Sequence, residues 1–473
     1  MNKYFNSFFS IPAALLLMSF FGISIAVATF IENDYGTIAA RALIFNSWWL
    51  ELSLCLLVII FIYNIPKYRL YKMKKLPVLF LHLSFILIIV GAGITRYMGV
   101  EGMIRIREGS LNNLFVSSTT FLDFKVHDNT SQYTHSQEIL CSSITNNYFS
   151  IPSSISQFFS GPIVMGNQEI NIQYVDFIQD PIDAIVENQK DGHSILEIVV
   201  PAESGGMQSE FLIEKKSKKI NNLVVGFNTS SSDTDFLITR EDSVFYFSSL
   251  SDVEYMRMSD QSKGILVKQQ QHMLSQKTLY TINGQNFVFK NHFNNSILNK
   301  VSSTMKNDQN KLDLLRVKLS VAENDTLIDL YGSQGFIAPK TYFEFNNLFF
   351  SFSYGSKNHS LPFAIFLKDF QLERYPGSNS PSSFASEIQV LDGDNTFDYR
   401  IFMNNVLNYQ GYRFFQSSYD NDEMGTILSV NQDKAGTIVT YAGYSSLLLS
   451  IVSLFISRFS RFNLLSKNKK QSK

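Results

Sequence analysis

A single histidine, His82, is the residue of this chain whose type and position most directly predict chemistry. It lies in the apolar segment Leu76–Ile94, where no other side chain is ionisable. A neutral imidazole removed from water needs a hydrogen bond, a proton pathway or a metal, and it binds iron well, directly or in haem. The alternative is a packing role, with His82 hydrogen-bonded between helices to Ser19 or Ser53. Both interpretations depend on the element that positions this side chain.

The other reactive side chains show no pattern typical of catalysis. Two cysteines, Cys55 and Cys141, form no CxxC pair, and Cys141 is expected to be an isolated packed thiol. Six further histidines show neither HxH nor HxxxH spacing: His127, His135, His193, His272, His292 and His359. The sequence also lacks a P-loop, a GxGxxG motif and a serine elbow, and its formal net charge of -1 gives no indication of a nucleic acid partner.

Four apolar segments organise the chain, three near its start and one near its end. They are Ile11–Phe30, Trp48–Ile65, Leu76–Ile94 and Thr437–Ser457. Each approaches the ~20 residues that an α-helix needs to cross a bilayer. The sequence therefore predicts a polytopic α-helical membrane protein with four spans in a 3+1 arrangement around a large β-rich domain. The predicted parts are residues 1–96, residues 97–436 outside the membrane, and residues 437–473 with a basic tail.

The distribution of Lys and Arg predicts the orientation of these spans. The loop Pro66–Lys75 and the tail Arg458–Lys473 are basic and contain no acid, whereas Ile31–Asn46 carries Arg41 against two acids. Basic loops stay in the cytoplasm, so both chain termini are predicted there and the large domain on the opposite side. His82 then lies about 9 Å into its span, in the inner half of the bilayer. The residues up to Ala28 also resemble a cleavable signal, although an uncleaved anchor is favoured because the apolar run is long.

Short runs of alternating aromatic and β-branched residues predict strands in the large domain. They are Phe121–Val126, Glu169–Phe177, Ile195–Val200, Val244–Phe247, Tyr280–Val288, Leu314–Val321 and Leu327–Leu330. The last two are separated by Ala322–Thr326, which predicts a hairpin. Polar breaks at Pro201–Glu210 and Ser302–Lys311 are candidate subdomain boundaries.

Charged side chains at the ends of the spans have two interpretations each. Glu51 follows Trp48 and Trp49, which are typical of the membrane interface, so it is expected near the outer surface and hydrated. Arg96 and Tyr97 close the third apolar segment. They are expected to anchor it at the interface, and the alternative is contact with an anionic group such as a haem propionate.

Several long segments resemble the ResB (CcsB) family of System II cytochrome c biogenesis, in the version fused at the N-terminus of CcsBA synthases. The segments are Ala28–Leu52 (ATFIENDYGTIAARALIFNSWWLEL), His82–Arg96 (HLSFILIIVGAGITR), Leu361–Ile388 (LPFAIFLKDFQLERYPGSNSPSSFASEI) and Met403–Asp420 (MNNVLNYQGYRFFQSSYD). The resemblance implies a protein of the bacterial inner membrane with a periplasmic domain. It also implies that the chain helps to move haem across the membrane and presents it for covalent attachment to apocytochrome c.

The resemblance implies a role for His82 and a set of partners. His82 matches one of two transmembrane axial ligands of haem b, which is held transiently, and a CcsA/ResC-type membrane protein supplies the other ligand. The tryptophan-rich segment that holds external haem in this family is missing, because the chain has only Trp48 and Trp49. The expected role is therefore that of a subunit without catalysis of its own, in contact with membrane lipid, haem and apocytochrome c. The alternative is a membrane-anchored scaffold or chaperone that never binds haem.

Overall fold

The fold is seen in a computed structural model that describes residues 9–128, 130–142, 163–165, 168–202, 205–229, 234–303 and 312–456. Its contacts divide the chain into two compact units. The first unit comprises Met1–Asp180 and Met305–Lys473, and the second, Pro181–Thr304, is inserted into the sequence of the first. The basic tail Arg458–Lys473 and most of the candidate boundary Ser302–Lys311 lie outside the described residues.

Four helices in the described ranges are long and apolar enough to cross a membrane, as the sequence predicts. They are α1 (Ile11–Tyr35), α2 (Trp48–Lys67), α3 (Leu76–Met98) and α4 (Lys434–Ile456). Helix α1 continues five residues beyond the predicted segment and ends at Gly36, whose φ of 87° a side chain would resist. A short helix, Thr37–Ala40, and a π-helical turn, Arg41–Phe45, then lead to α2. Insertion of these helices into a membrane stays a prediction.

Helices α3 and α4 pack closely because small residues line their contact. A Cβ atom added at Gly91 would lie 2.3 Å from the Oγ1 atom of Thr440, and one at Gly443 would lie 2.8 Å from Ile88. The Ser450 hydroxyl on α4 donates a hydrogen bond of 2.8 Å to the carbonyl of Pro77 on α3. Small residues that allow close backbone approach, with hydroxyls bonding across the contact, are typical of helix pairs in membranes.

The rest of the described chain is built mainly from strands. In chain order they are β1 (Val100–Arg107), β2 (Leu111–Ser117), β3 (Thr120–His127), β4 (Gln132–Ile139), β5 (Ile163–Met165), β6 (Gln168–Ile178), β7 (Pro181–Val186), β8 (His193–Pro201), β9 (Met207–Ile213), β10 (Lys216–Ile220), β11 (Leu223–Phe227), β12 (Phe236–Glu241), β13 (Val244–Ser249), β14 (Val253–Arg257), β15 (Lys263–Leu266), β16 (His272–Met273), β17 (Thr278–Ile282), β18 (Gln285–Ser302), β19 (Asp313–Val321), β20 (Asn324–Gly332), β21 (Thr341–Phe345), β22 (Leu348–Gly355), β23 (Asn358–Arg374), β24 (Pro381–Asp392), β25 (Asn395–Phe402), β26 (Leu407–Tyr409), β27 (Tyr412–Tyr419) and β28 (Gly425–Gln432). The large β-rich region that the sequence predicts is therefore confirmed.

The first unit holds three sheets around two cores. An eight-stranded sheet in the order β25-β24-β23-β2-β1-β28-β27-β26 curls until its two end strands touch, and it buries its own inner face. This sheet connects directly to the helices, because β1 follows α3 and β28 precedes α4. Two four-stranded sheets, β20-β19-β6-β5 and β21-β22-β3-β4, share a second core in which Phe124 and Val317 are fully buried.

The second unit has a core of its own. A five-stranded sheet (β10-β11-β12-β13-β16) and a larger sheet (β15-β14-β17-β18-β8-β9, with β7 paired to β18) contribute to it. The predicted boundary Pro201–Glu210 instead contains the end of β8 and the first residues of β9, which are neighbours in one sheet, with Pro201 paired to Met207. Residues 205–209 of this segment are exposed.

Two predicted hairpin regions show how turn chemistry sets the strands. The predicted strand Tyr280–Val288 is wrong as one strand, because Asn283 and Gly284 form a turn with φ angles of 48° and 76°. Asn-Gly is the preferred pair for such left-handed two-residue turns. The hairpin predicted around Ala322–Thr326 is confirmed, although β20 begins earlier, with Val321 paired to Asn324.

Candidate functional site

Helix α3 fixes the imidazole of His82 by a bond to its own backbone. The Nδ1 atom lies 2.9 Å from the carbonyl oxygen of Val78, one turn earlier. A carbonyl oxygen only accepts hydrogen bonds, so Nδ1 carries the proton and the lone pair of the neutral ring lies on Nε2. Within the described residues, Nε2 has no hydrogen-bond partner and neither Ser19 nor Ser53 bonds His82. The predicted interhelical hydrogen bond is therefore wrong, since Ser53 donates to Leu50 of its own helix.

Aromatic rings form the side of the site that faces α2. The ring of Phe61 meets His82 edge-on at 5.4 Å between centroids, and Phe85 stacks on Phe61 at 5.6 Å. Phe61 is buried and His82 is half-buried. The site thus has an apolar wall on one side and an accessible ring nitrogen, which suits a flat apolar ligand with an iron atom.

Asn64 places an unusual polar atom near this wall. It lies on α2 one turn beyond Phe61 towards the basic loop, and only 3% of the residue is exposed. Its side-chain oxygen has no hydrogen-bond partner within the described part of the chain. A buried amide oxygen without a partner is costly, so this position favours a ligand or water that donates to it. A lone Asn in an apolar run is the sequence signal that could have identified it.

A second polar group lies where α2 begins and α3 ends. Arg96 forms an ion pair of 2.8 Å with Glu51 and donates a hydrogen bond to the carbonyl of Phe45. The hydroxyl of Tyr97 donates to the same carboxylate at 2.6 Å. The Glu51 and Arg96 side chains are about one-third exposed, and their position at a membrane interface stays a prediction. Their pairing is not visible in the sequence, because it depends on α2 and α3 running antiparallel.

A large cavity lies beside this group, between the ends of the helices nearest the strands and the strands of the first unit. Its volume is about 1370 Å³. Its lining includes Trp48, Trp49 and Arg96 from the helices and His359 from β23. This cavity cannot be found from the sequence, because its walls come from residues more than 300 positions apart.

The remaining candidate residues are not brought together into a metal site. Within the described ranges, no group of three or more His, Cys, Asp and Glu side chains could hold a metal ion. In the second unit, Nε2 of His292 lies 2.8 Å from the hydroxyl of Ser194, with Arg240 beside them. Cys141 is buried, which confirms the prediction of a packed thiol, and burial raises the pKa of its thiol to about 12.

The chain is similar to known proteins. Residues 327–458, from β20 to the end of α4 and just beyond, match the model of the ResB-like family. The predicted resemblance to ResB proteins is confirmed. The chain is also 28% identical to Protein NrfI of Wolinella succinogenes over 473 residues, which is 99% of this chain and 37% of NrfI. The chain therefore spans little more than a third of the length of that relative.

The ResB-like match covers six strands of the eight-stranded sheet (β23 to β28) and α4, and it does not include β1, β2 or His82. Similarity to NrfI extends over nearly all of this chain. That His82 binds haem iron stays a prediction.

Proposed function

We propose that this chain is a ResB-type subunit of a System II cytochrome c synthase that helps move haem across the membrane and presents it to apocytochrome c. The ResB-like match and the similarity to NrfI support a role in cytochrome c biogenesis. The observation that carries the finer proposal is the state of His82, a lone imidazole in an apolar helix with its Nδ1 atom held by Val78. Such a residue in a membrane is expensive and typically marks a ligand or a pathway.

The residues around His82 fit haem. Axial histidines bind iron through one ring nitrogen while the other donates a hydrogen bond that orients the ring, and Val78 provides that acceptor. Phe61 and Phe85 offer apolar ring faces beside it. Haem would supply the vinyl groups that react with the CxxCH thiols of apocytochrome c, whereas His82 would hold its iron.

The proposed site is incomplete within this chain. A six-coordinate haem needs two axial ligands, and His82 is the one histidine in the four apolar segments. The second ligand then comes from a CcsA/ResC-type membrane protein, as the family resemblance implies. In this proposal the chain is an obligate subunit that does not catalyse thioether formation alone.

The proposal includes an orientation. The basic loop between α2 and α3 lies in the cytoplasm and the strands lie in the periplasm of a bacterial inner membrane. His82 is near the cytoplasmic end of α3, so haem made in the cytoplasm would meet it early. The Glu51–Arg96 pair then marks the periplasmic end of the same helix.

The test is the visible spectrum of the chain purified with its CcsA/ResC-type partner, as wild type and as His82→Ala. We expect the substitution to lower bound haem severalfold or to alter the axial-ligand spectrum. Added imidazole should restore it, because it can enter the space left by the side chain. His272→Ala is the matched control, since His272 bonds a carbonyl oxygen (Val267) in the second unit and lies far from α3 in sequence. An unchanged spectrum in His82→Ala would instead support the scaffold that never binds haem.

A further inference from the structure

The large cavity beside the Glu51–Arg96 pair runs along the helices as well as towards the strands. On α3 its lining extends from Arg96 back to Ile88, which is eight residues or about 12 Å along the helix. On α1 its lining includes Val27, also eight residues before the end of the helix. At about 1370 Å³, the cavity exceeds the roughly 300–1,000 Å³ of common small-molecule sites. It therefore suits a long ligand better than a compact one.

The part of the cavity that follows the helices is apolar. It is lined by Val27 and Ile31 from α1, by Ile88 and Ala92 from α3, and by the ring of Tyr444 from α4. Val27 and Ala92 are exposed within this chain. Apolar side chains along helices that cross a membrane gain from contact with hydrocarbon and offer no hydrogen bond to a polar ligand.

Where the helices end, the cavity carries a cation without a partner. Arg41 lines it from the π-helical turn, and its guanidinium forms no hydrogen bond or ion pair within the described part of the chain. Arg41 is half-buried, whereas Arg96 is already paired with Glu51. A guanidinium held partly away from water gains most from a phosphate or a carboxylate, which it binds in a bidentate geometry.

Two carboxylates line the cavity from the strands, Glu101 on β1 and Glu138 on β4. The carboxylate of Glu101 accepts a hydrogen bond from Asn431, whereas that of Glu138 has no partner among the described residues. Glu138 and Arg41 thus line one cavity without pairing with each other. Both carboxylates would repel a purely anionic ligand, so the charges favour a ligand that carries an anionic and a cationic group.

We propose that the cavity binds one phospholipid with an ammonium headgroup, of the phosphatidylethanolamine class. Its phosphate binds Arg41, its ammonium group lies against Glu138, and its acyl chains lie along α1 and α3. The proposal uses the orientation proposed above, in which the helices span the membrane, and it does not depend on haem. The lipid fills the space between the helices and the strands β1 and β4 of the first unit.

The test uses the purified full chain in detergent, stripped of lipid and then titrated with phosphatidylethanolamine or phosphatidylglycerol. Native mass spectrometry counts the lipids that each chain retains. We expect one retained phosphatidylethanolamine and at least tenfold weaker binding of phosphatidylglycerol, whose headgroup has no cation. Arg41→Gln should weaken binding of phosphatidylethanolamine about tenfold, because it removes the partner of the phosphate. Glu138→Gln should instead remove the preference between the two lipids.

Arg69→Gln and Glu344→Gln are the matched controls. Both positions are exposed and neither lines the cavity, so these variants should bind lipid as the wild type does. Ala92→Trp tests the apolar part of the cavity separately. Its ring would occupy the space of an acyl chain, so it should weaken phosphatidylethanolamine binding at least tenfold while both charges stay in place.

Two results would overturn the proposal. Equal retention of both lipids by the wild type, Arg41→Gln and Ala92→Trp would mean that only bulk lipid surrounds the helices. Loss of the retained lipid when the CcsA/ResC-type partner binds would make that partner the occupant of the cavity. Because no arm measures haem, each result is independent of whether His82 holds haem.

Discussion

At the residue scale, Arg96 and Glu51 determine the charge at the C-terminal end of α3. Their opposite charges form an ion pair at 2.8 Å, so the net charge of the two side chains is zero. The hydroxyl of Tyr97 donates a hydrogen bond to the same carboxylate. The guanidinium of Arg96 is thus paired with a carboxylate of its own chain, and its roles as an interfacial anchor or a propionate contact stay predictions. The unpaired cation of the region is Arg41, among the cavity-lining residues that the structure describes.

We predict that Glu51→Gln and Arg96→Gln are not additive in their effect on stability. The pair is about one-third exposed, so its coupling energy should be about 0.5–1 kcal/mol. The measurement is a double-mutant cycle from thermal unfolding in detergent, at low and at high salt. Additive effects at both salt concentrations would mean that the ion pair does not form.

A second residue-scale prediction concerns Asp313 at the start of β19. Burial raises the pKa of its carboxyl from 3.8 to about 6, and the backbone N–H of Asp180 donates to it at 3.1 Å. Between about pH 4 and pH 6 the folded chain binds a proton there that the unfolded chain has released, so the free energy of unfolding falls as pH rises. The group should therefore cost about 3 kcal/mol of stability at pH 7.

Asp313→Asn should remove this pH dependence and raise the free energy of unfolding at pH 7 by about 1–3 kcal/mol. The check is the difference between variant and wild-type unfolding at pH 4.5 and pH 7. The control is Asp325→Asn on the neighbouring strand, because Lys318 holds the pKa of Asp325 below its usual value. That control should lose stability at pH 7, and a gain equal to that of Asp313→Asn would count against the burial argument.

At the element scale, the α3–α4 contact links the first three helices to the end of the β-rich region. Asp433 contributes to it by capping α4 through the N–H of Gly436 and by accepting a hydrogen bond from Thr95 of α3. Gly91 lets the two backbones approach. Because His82 is on α3, this contact also holds the candidate site in position.

We predict that Gly91→Ala destabilises the chain by about 1–3 kcal/mol, since a Cβ there would lie 2.9 Å from the backbone nitrogen of Thr440. Gly93→Ala, two residues further along α3, has nothing within 4 Å of its added Cβ and should be neutral or slightly stabilising. The measurement is the thermal midpoint of each variant in detergent. Equal losses in both variants would show that helix propensity, rather than the contact, is responsible.

At the scale of the whole molecule, the proposed orientation predicts which parts are reachable from outside the cell membrane. In a Cys55→Ser, Cys141→Ala background, Gln270→Cys in the second unit should react with an impermeant maleimide in intact spheroplasts. Lys72→Cys, in the basic loop, should react only after lysis. Both positions are exposed, so accessibility depends on the side of the membrane. Labelling of Lys72→Cys in intact spheroplasts, without labelling of Gln270→Cys, would reverse the topology.

The sequence determines the features that are encoded locally. Apolar runs of about 20 residues require helices wherever they fold, so the four long helices and the place of His82 on α3 follow from composition and spacing alone. Strands with alternating apolar residues, such as β3 and β19, can also be predicted from the sequence, because one face of each is buried. Polar strands at the edge of a sheet cannot be predicted in this way. The segment Gln132–Ile139 is a strand because it pairs with β3, and its side chains are mostly exposed and carry no alternation to detect.

The tertiary structure decides which distant residues meet. Glu51 and Arg96 pair because α2 and α3 run antiparallel, and the unpaired oxygen of Asn64 is buried because of what packs around it. The cavity with Arg41 and His359 exists only because the chain returns to the helices through β23 after more than 300 residues. Periodicity along a chain reports which face of an element is buried and not which element covers it, and for that reason the sequence identifies His82 but not its surroundings.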